Sequence, residues 1–316
     1  MPLFFPGTLG FPWGFAGMAA GALTGRVVIV TGAGRGLGRA HARALAADGA
    51  AVVVNDMGGD LHGHGADPTP AQAVVAEIAA AGGQATVSGH DVADWAAAGA
   101  MVALAVQTFG RLDVLVNNAG ILRDRLFANM SEGDWDAVIR VHLKGHAAPS
   151  HHAMVHWRGA VKAGQQVQAS MIHTTSVAGF IGSFGQANYA AAKMGIVGFA
   201  LTLANEGAKY GVRSNAVSPS ARTRIEDSLK PPPPGVFDVF DPANVSPLIC
   251  WLARADCAAT GQVFHTYGDR IEVLAPGTVV ADLRRGGQWT PDAIAAALPL
   301  HLPALPGLAD FVPEAC

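Results

Sequence analysis

Short runs of consecutive apolar residues recur along this 316-residue chain, separated by longer stretches with helical spacing of apolar positions. Residues 27–30, 51–54, 83–88, 114–116, 171–174 and 212–217 read as strands, the most apolar of them as strands buried on both faces. Residues 39–47, 94–109, 134–159 and 189–209 read as helices, with Pro149 inside the third predicting a kink there. A further helix begins at 247–252, and 262–265 closes the sheet. Alternation of strand and helix implies an α/β protein with a doubly wound parallel sheet in three α/β/α layers. The pattern places one such domain at 23–266, with an N-terminal arm at 1–22 and a C-terminal extension at 267–316.

The first strand runs into a turn, residues 31–38, that contains Gly32, Arg35, Gly36, Leu37 and Gly38, and then into a helix. Strand, glycine-rich turn, helix is the context of a dinucleotide-binding (Rossmann) unit. Gly32 permits the tight turn, while Gly36 and Gly38 let backbone approach a pyrophosphate and pack helix on strand. The helix start then offers unpaired N–H groups to phosphate. The second strand ends at Asn55-Asp56, which puts an acid eighteen residues after Gly38, where a carboxylate holds adenosine ribose hydroxyls. The fourth strand ends in Asn117-Asn118-Ala119-Gly120, a turn of polar and small residues.

Ser176 stands thirteen residues before Tyr189, and Lys193 four residues after it. A tyrosine hydroxyl titrates near pH ~10 and is a poor base at neutrality. A lysine one helical turn on, along the same face, stabilises the phenolate. A serine delivered from a strand end holds the substrate oxygen against the tyrosine. Together they are equipped to move a proton to or from an alcohol while a cofactor takes the hydride.

Thr-Gly-x3-Gly-x-Gly, Asn-Asn-Ala-Gly and Ser-x12-Tyr-x3-Lys, in this order and spacing, resemble the short-chain dehydrogenase/reductase family over about residues 23–266. Segments 54–60, 140–145 and 184–189 resemble its (3R)-hydroxyacyl-CoA dehydrogenase branch. That branch includes a portion of the peroxisomal multifunctional enzyme of β-oxidation and bacterial single-domain relatives, among them those of sterol side-chain breakdown. The hydratase and carrier domains of the multifunctional protein have no counterpart expected in this chain. The resemblance implies NAD or NADP in the glycine-rich cleft, with Asp91 and Val92 near the adenine and Pro219, Ala221 and Thr223 near the nicotinamide carboxamide. The family usually has Pro-Gly where this chain has Pro219-Ser220. His142 replaces an asparagine that in many members helps hold a water linking the active-site lysine to solvent, and the hydroxyacyl-CoA branch shares the histidine. A homodimer, or a dimer of dimers, is also implied.

Two signals bear on cofactor choice. Arg35 resembles the arginine that touches the adenosine phosphate in NADP-using relatives, whereas Asp56 would face a 2′-phosphate with a like charge. The expectation is NAD. For a CoA thioester substrate, Arg222, Arg224, Arg284 and Arg285 are candidate cations for its phosphates, beside the reading of ordinary surface charge. A free 17β-hydroxysteroid or another small alcohol requires the same catalytic residues, and the sequence leaves this alternative open. A dinucleotide-binding protein without chemistry is a third reading, disfavoured by the presence of Ser176, Tyr189 and Lys193 together.

Half the residues are hydrophobic and 14% are charged, so a large core can form. A net charge of −3 and no basic run argue against nucleic acid as partner. Three cysteines, without a Cys-x2-Cys pair, fit a reducing compartment, and the expected location is cytoplasmic. His142/His146 and His152/His156 have the spacing of two imidazoles on one helix face. No acid lies between the members of either pair, so no metal is expected. Residues 1–23 carry no charge and several aromatics, and prolines and glycines interrupt them. An irregular arm packed on the body or on a neighbouring subunit fits better than a membrane span, with a peripheral membrane contact as the rival reading. The proline run 231–234 belongs either to a lid over the acyl pocket or to a surface loop. The extension beyond 267 resembles a tail that lies across the substrate cleft in the hydroxyacyl-CoA branch.

Overall fold

The computed structural model describes residues 21–223, 230–286, 288–303 and 307–312. Of the expected N-terminal arm only Gly21 and Ala22 fall among them, and Arg224 lies outside. Seven parallel strands are β1 (Val27–Thr31), β2 (Ala51–Asn55), β3 (Gln84–Ser88), β4 (Val114–Asn117), β5 (Ala169–Thr174), β6 (Val212–Pro219) and β7 (Val263–Tyr267). An eighth, β8 (Arg270–Leu274), pairs antiparallel with β7, so the sheet does not close at 262–265 as the pattern suggested. The strand order is β3-β2-β1-β4-β5-β6-β7-β8. The chain reverses direction across the sheet between β1 and β4, which is where open parallel sheets hold ligands.

Alternate residues of the buried strands face opposite layers. Val28, Val30, Val52 and Val54 pack with Leu45, Val74 and Leu252. Val27, Ile29, Val53 and Leu115 pack with Met101, Trp157 and Met171. The first layer is built by α1 (Gly36–Ala47), α2 (Thr69–Ala80) and a later helix described below. The second begins with α3 (Trp95–Phe109), whose N-cap Asp94 accepts the Ala97 N–H at 2.7 Å.

The expected long helix is divided. α4 (Glu132–Ile139) passes through a π-helical turn, Arg140–Lys144, into α5 (Gly145–Lys162). The irregularity sits in this widened turn, where Gly145 N–H donates back to Arg140 O, while the helix runs on through Pro149 to Lys162. Pro149 has no N–H to give, so its missing bond falls just downstream of the π turn. α6 (Ala178–Ile181) and α7 (Ala187–Gly207) follow β5, and α8 (Ser246–Ala253) completes the first layer against α1. α9 (Pro291–Ala297) lies in the C-terminal extension. With the turn that follows it, residues 187–210, α7 is long and apolar enough to cross a bilayer by length and mean hydropathy. In this fold it packs against β6 and carries Tyr189 and Lys193.

Candidate active site

A cleft opens beyond the carboxyl ends of β1, β2 and β4, lined by the turn after β1 and by Asp56, Asp91 and Asn118–Ile121. Gly32 has φ +64°, a left-handed conformation that L side chains rarely adopt. A Cβ on Gly38 would lie 2.2 Å from Gly32 O, so the start of α1 can sit this close to the turn only as glycine. The Thr31 hydroxyl accepts the N–H groups of Asn118 and Ala119 at 2.9 and 3.1 Å. The Asn118 amide donates to Thr31 O and Gly32 O at 2.9 and 3.2 Å. The ends of β1 and β4 are thereby fastened together on either side of the cleft.

Asp56 uses both carboxylate oxygens on backbone: Oδ2 accepts Gly34 N–H at 2.8 Å and Oδ1 accepts Gly58 N–H at 2.6 Å. Its charge is therefore held in place beside the glycine turn. Arg35 also lines the cleft, and its charge helps lower the pKa of Asp67, behind the Thr69 hydrogen bonds that dominate that shift. Val92 lines the cleft as expected. Asp91 does too, but its carboxylate is engaged by Arg140 and by Ala93 N–H at 2.8 Å. Ser220 N–H donates to Thr266 O at 3.1 Å, so pairing with β7 continues past Pro219 despite the missing glycine. Ala221 is buried, and Thr223 returns over the glycine turn, its Cγ2 3.4 Å from where a Gly36 Cβ would stand. An open cradle of glycine backbone, a helix start and a fixed carboxylate fit a dinucleotide.

Ser176 follows β5 by two residues, half-buried, with its hydroxyl accepting Ala178 N–H at 3.2 Å. Tyr189 and Lys193 are buried on α7. Lys193 Nζ lies 5.4 Å from the Tyr189 ring centroid and donates to Thr174 O at 2.7 Å. Burial pushes the Lys193 pKa from 10.5 down to about 7, which makes its proton labile near neutrality. The Thr175 hydroxyl donates to Lys193 O at 2.7 Å, tying the end of β5 to the same helical turn.

His142, on the π turn, is buried, and its Nε2 is 2.8 Å from Ile121 O. Burial first, and the Lys193 charge second, push its pKa down to about 3, so the ring is neutral. Nε2 also lies 3.1 Å from Ile121 N, so it either donates to the carbonyl or accepts that N–H, and Nδ1 takes the complementary role. Nδ1 has no partner among the described residues.

Asn188 was not singled out by its residue type, yet it organises this end of the site. Its amide donates to Arg123 O and Asp134 O, both at 3.1 Å, and its Oδ1 accepts Tyr189 N–H at 2.7 Å. The only sequence signal was its place beside Tyr189. Three of the candidate substrate cations, Arg222, Arg284 and Arg285, lie among the described residues. Arg222 is about three-quarters buried and forks onto the Asp238 carboxylate, holding the loop after the proline run rather than offering a free charge. Arg284 pairs with Asp282 at 2.7 Å, and Arg285 donates to Gln288 O, both in exposed local contacts. Among the described residues, no three His, Cys, Asp or Glu side chains converge as metal ligands. His146 instead stacks on His173, ring centroids 5.7 Å apart, and His152 bonds Trp95 O.

Residues 26–230 match the short chain dehydrogenase family. The chain is 43% identical over 272 residues to the mouse peroxisomal multifunctional enzyme type 2, covering 85% of this chain but only 36% of that protein. It is 40% identical over 288 residues to the hydroxyacyl-CoA dehydrogenase ChsB1 of Mycobacterium tuberculosis, covering 87% of this chain and 88% of that one. A crystal structure of a short chain dehydrogenase from Mycobacterium avium superposes with a TM-score of 0.80 at 49% identity, over 89% of this chain and 95% of that one. The glycine cradle, the Tyr189–Lys193 pair and these likenesses agree: the chain belongs to the short-chain dehydrogenase/reductase family.

Proposed function

We propose that this protein is an NAD-dependent dehydrogenase that oxidises the C3 hydroxyl of a (3R)-hydroxyacyl-CoA, with a bulky or steroid-linked acyl chain accommodated. The observation that carries the reading is the buried Tyr189–Lys193 pair beside a cleft whose ribose-side acid, Asp56, is held by two backbone N–H groups. NAD bound in the cleft supplies the hydride acceptor. Tyr189 takes the alcohol proton, Ser176 holds the reacting oxygen, and Lys193 favours the tyrosinate and holds the nicotinamide ribose. The buried Nδ1 of His142 is the atom that would hold a water connecting Lys193 to solvent.

Asp56 supports NAD over NADP, because a 2′-phosphate would meet its carboxylate at close range. Arg35, the opposing signal, has Asp67 as a nearby counter-charge. The substrate assignment rests on the hydroxyacyl-CoA dehydrogenase named among the relatives and on the residues shared with that branch. Phe127 and Phe184 are exposed on two loops joined by the Arg125 N–H to Gly185 O bond of 2.8 Å, just before Tyr189, which suits an apolar acyl chain. A homodimer through α5 and α7 accounts for the exposure of Val155 and Met194 on those helices.

The test offers (3R)- and (3S)-hydroxyacyl-CoA esters of several lengths, beside a free 17-hydroxysteroid, with NAD and with NADP. The reading expects the highest kcat/KM for a (3R) ester with NAD. Preference for the free steroid or the (3S) isomer would defeat the substrate assignment and leave hydride transfer standing.

A further inference from the structure

Between β2 and α2, residues 57–67 fold into a flap that borders the cofactor cleft through Gly59, Asp60, Gly63 and Gly65. Its base is closed by Asp67 N–H donating to Met57 O at 2.9 Å. Its centre is organised by Asp60, whose Oδ1 accepts the N–H groups of His62 and His64 at 2.8 and 2.9 Å. The flap is docked on the segment that follows β4. Leu122 N–H donates to Leu61 O at 3.1 Å, and His62 Nδ1 lies 3.0 Å from Leu122 O.

One side chain gathers these contacts. Arg123 Nε donates to His62 O at 3.0 Å and Nη2 donates to His64 Nε2 at 2.8 Å. A guanidinium only donates, so Nε2 accepts, and the ring proton of His64 sits on Nδ1, 3.3 Å from Asp60 Oδ2. Arg123 Nη1 is also 3.8 Å from Asp134 Oδ1. The same residue's carbonyl receives the Asn188 amide, and Asn188 in turn receives Tyr189 N–H. Asp60, His64, Arg123, Asn188 and Tyr189 thus form one series of hydrogen bonds, which passes at Arg123 from its guanidinium through its own backbone to its carbonyl. It runs from the flap over the cofactor cleft to the first turn of the helix that carries the proton acceptor.

We propose that Arg123 is a positioning residue that couples closure of the 57–67 flap to the seating of Tyr189. The dinucleotide, by favouring the closed flap, then also favours the placed tyrosine, and an empty cleft leaves that placement looser. Arg123 touches no reacting atom in this scheme. It acts through Asn188. The functional half of the proposal rests on the NAD reading above; the structural half does not.

Two measurements separate them. Hydrogen–deuterium exchange on the ligand-free protein compares wild type with His64→Ala, His64→Gln and Arg123→Ala. The proposal expects about tenfold faster exchange in the flap and at 187–190 for His64→Ala and Arg123→Ala. His64→Gln, whose amide oxygen can accept from Arg123, should stay near wild type. If Arg123→Ala does not fold, the Ala/Gln pair at the exposed His64 carries the comparison. In the second measurement, His64→Ala should weaken NAD binding by about tenfold and also slow single turnover severalfold at saturating NAD. Looser flap exchange and weaker NAD binding, with unchanged exchange at 187–190 and unchanged single turnover, overturn the coupling. Wild-type behaviour in both measurements overturns the latch itself. Failure of the wild-type protein to bind NAD defeats the cofactor reading, and the exchange comparison still decides whether flap and helix are joined.

Discussion

The imidazole of His142 stands edge-on to the ring of Tyr189, with centroids 5.2 Å apart and planes at 89°. The imidazole is also bounded by Gly120, where a Cβ would lie 2.5 Å from His142 Cε1. The histidine is thus in contact with both the turn after β4 and Tyr189.

Gly120→Ala should therefore displace the imidazole. Overpacking of this kind costs about 1–3 kcal/mol, visible as a lowered Tm, and kcat should fall at least about tenfold as the Tyr189 contact shifts. A variant with wild-type Tm and kcat would show that the ring is free to move aside.

Tyr189→Phe keeps the ring that His142 packs against and removes only the hydroxyl. Loss of a positioned general base lowers kcat by about 10²–10⁴-fold, while NAD affinity measured by fluorescence titration should hardly change. Retention of more than about a tenth of the rate would assign the proton transfer to another group.

Lys193→Met should abolish activity and raise stability in the cofactor-free protein. The folded state lowers the Lys193 pKa from 10.5 to about 7 by burial. Between those values the unfolded chain binds the proton and the folded one does not, so wild-type stability rises with pH across this window and is lowest below about 7. Methionine carries no proton, so its advantage is largest at about pH 6 and shrinks by about pH 9. Thermal melts at the two pH values check this, and an advantage independent of pH would contradict it.

Asp56→Ser should narrow the preference for NAD over NADP by about tenfold or more, which corresponds to ~1.4 kcal/mol of relieved repulsion. Competing kcat/KM measurements decide it. Because Asp56 also accepts from Gly34 and Gly58, a modest fall in Tm should accompany the change.

Much of the architecture was legible because it is written locally. A run such as Val27–Val30 calls for cover on both faces, which it finds here, and the glycines after it suit a tight turn and close approach. Tyr189 and Lys193 were legible for the same reason, since one helical turn puts them on the same face of α7. The helix expected at 134–159 is a helix, and the π turn at Arg140–Lys144 within it was not expected from the residue pattern. At the end of that turn the helix packs closely on another segment: a Cβ on Gly145 would meet Val92 Cγ2 at 2.8 Å.

The sheet, the glycine cradle and the candidate catalytic residue types could be read locally, because hydrophobic period, turn chemistry and short spacings are properties of neighbouring residues. Tertiary structure alone decided that Arg222 serves Asp238, that β8 extends the sheet, and that Asn188 and Arg123 tie the flap to the tyrosine. Each of these depends on where the folded path brings together groups that no local pattern relates. Hydrogen-bonding side chains take the partners that path provides.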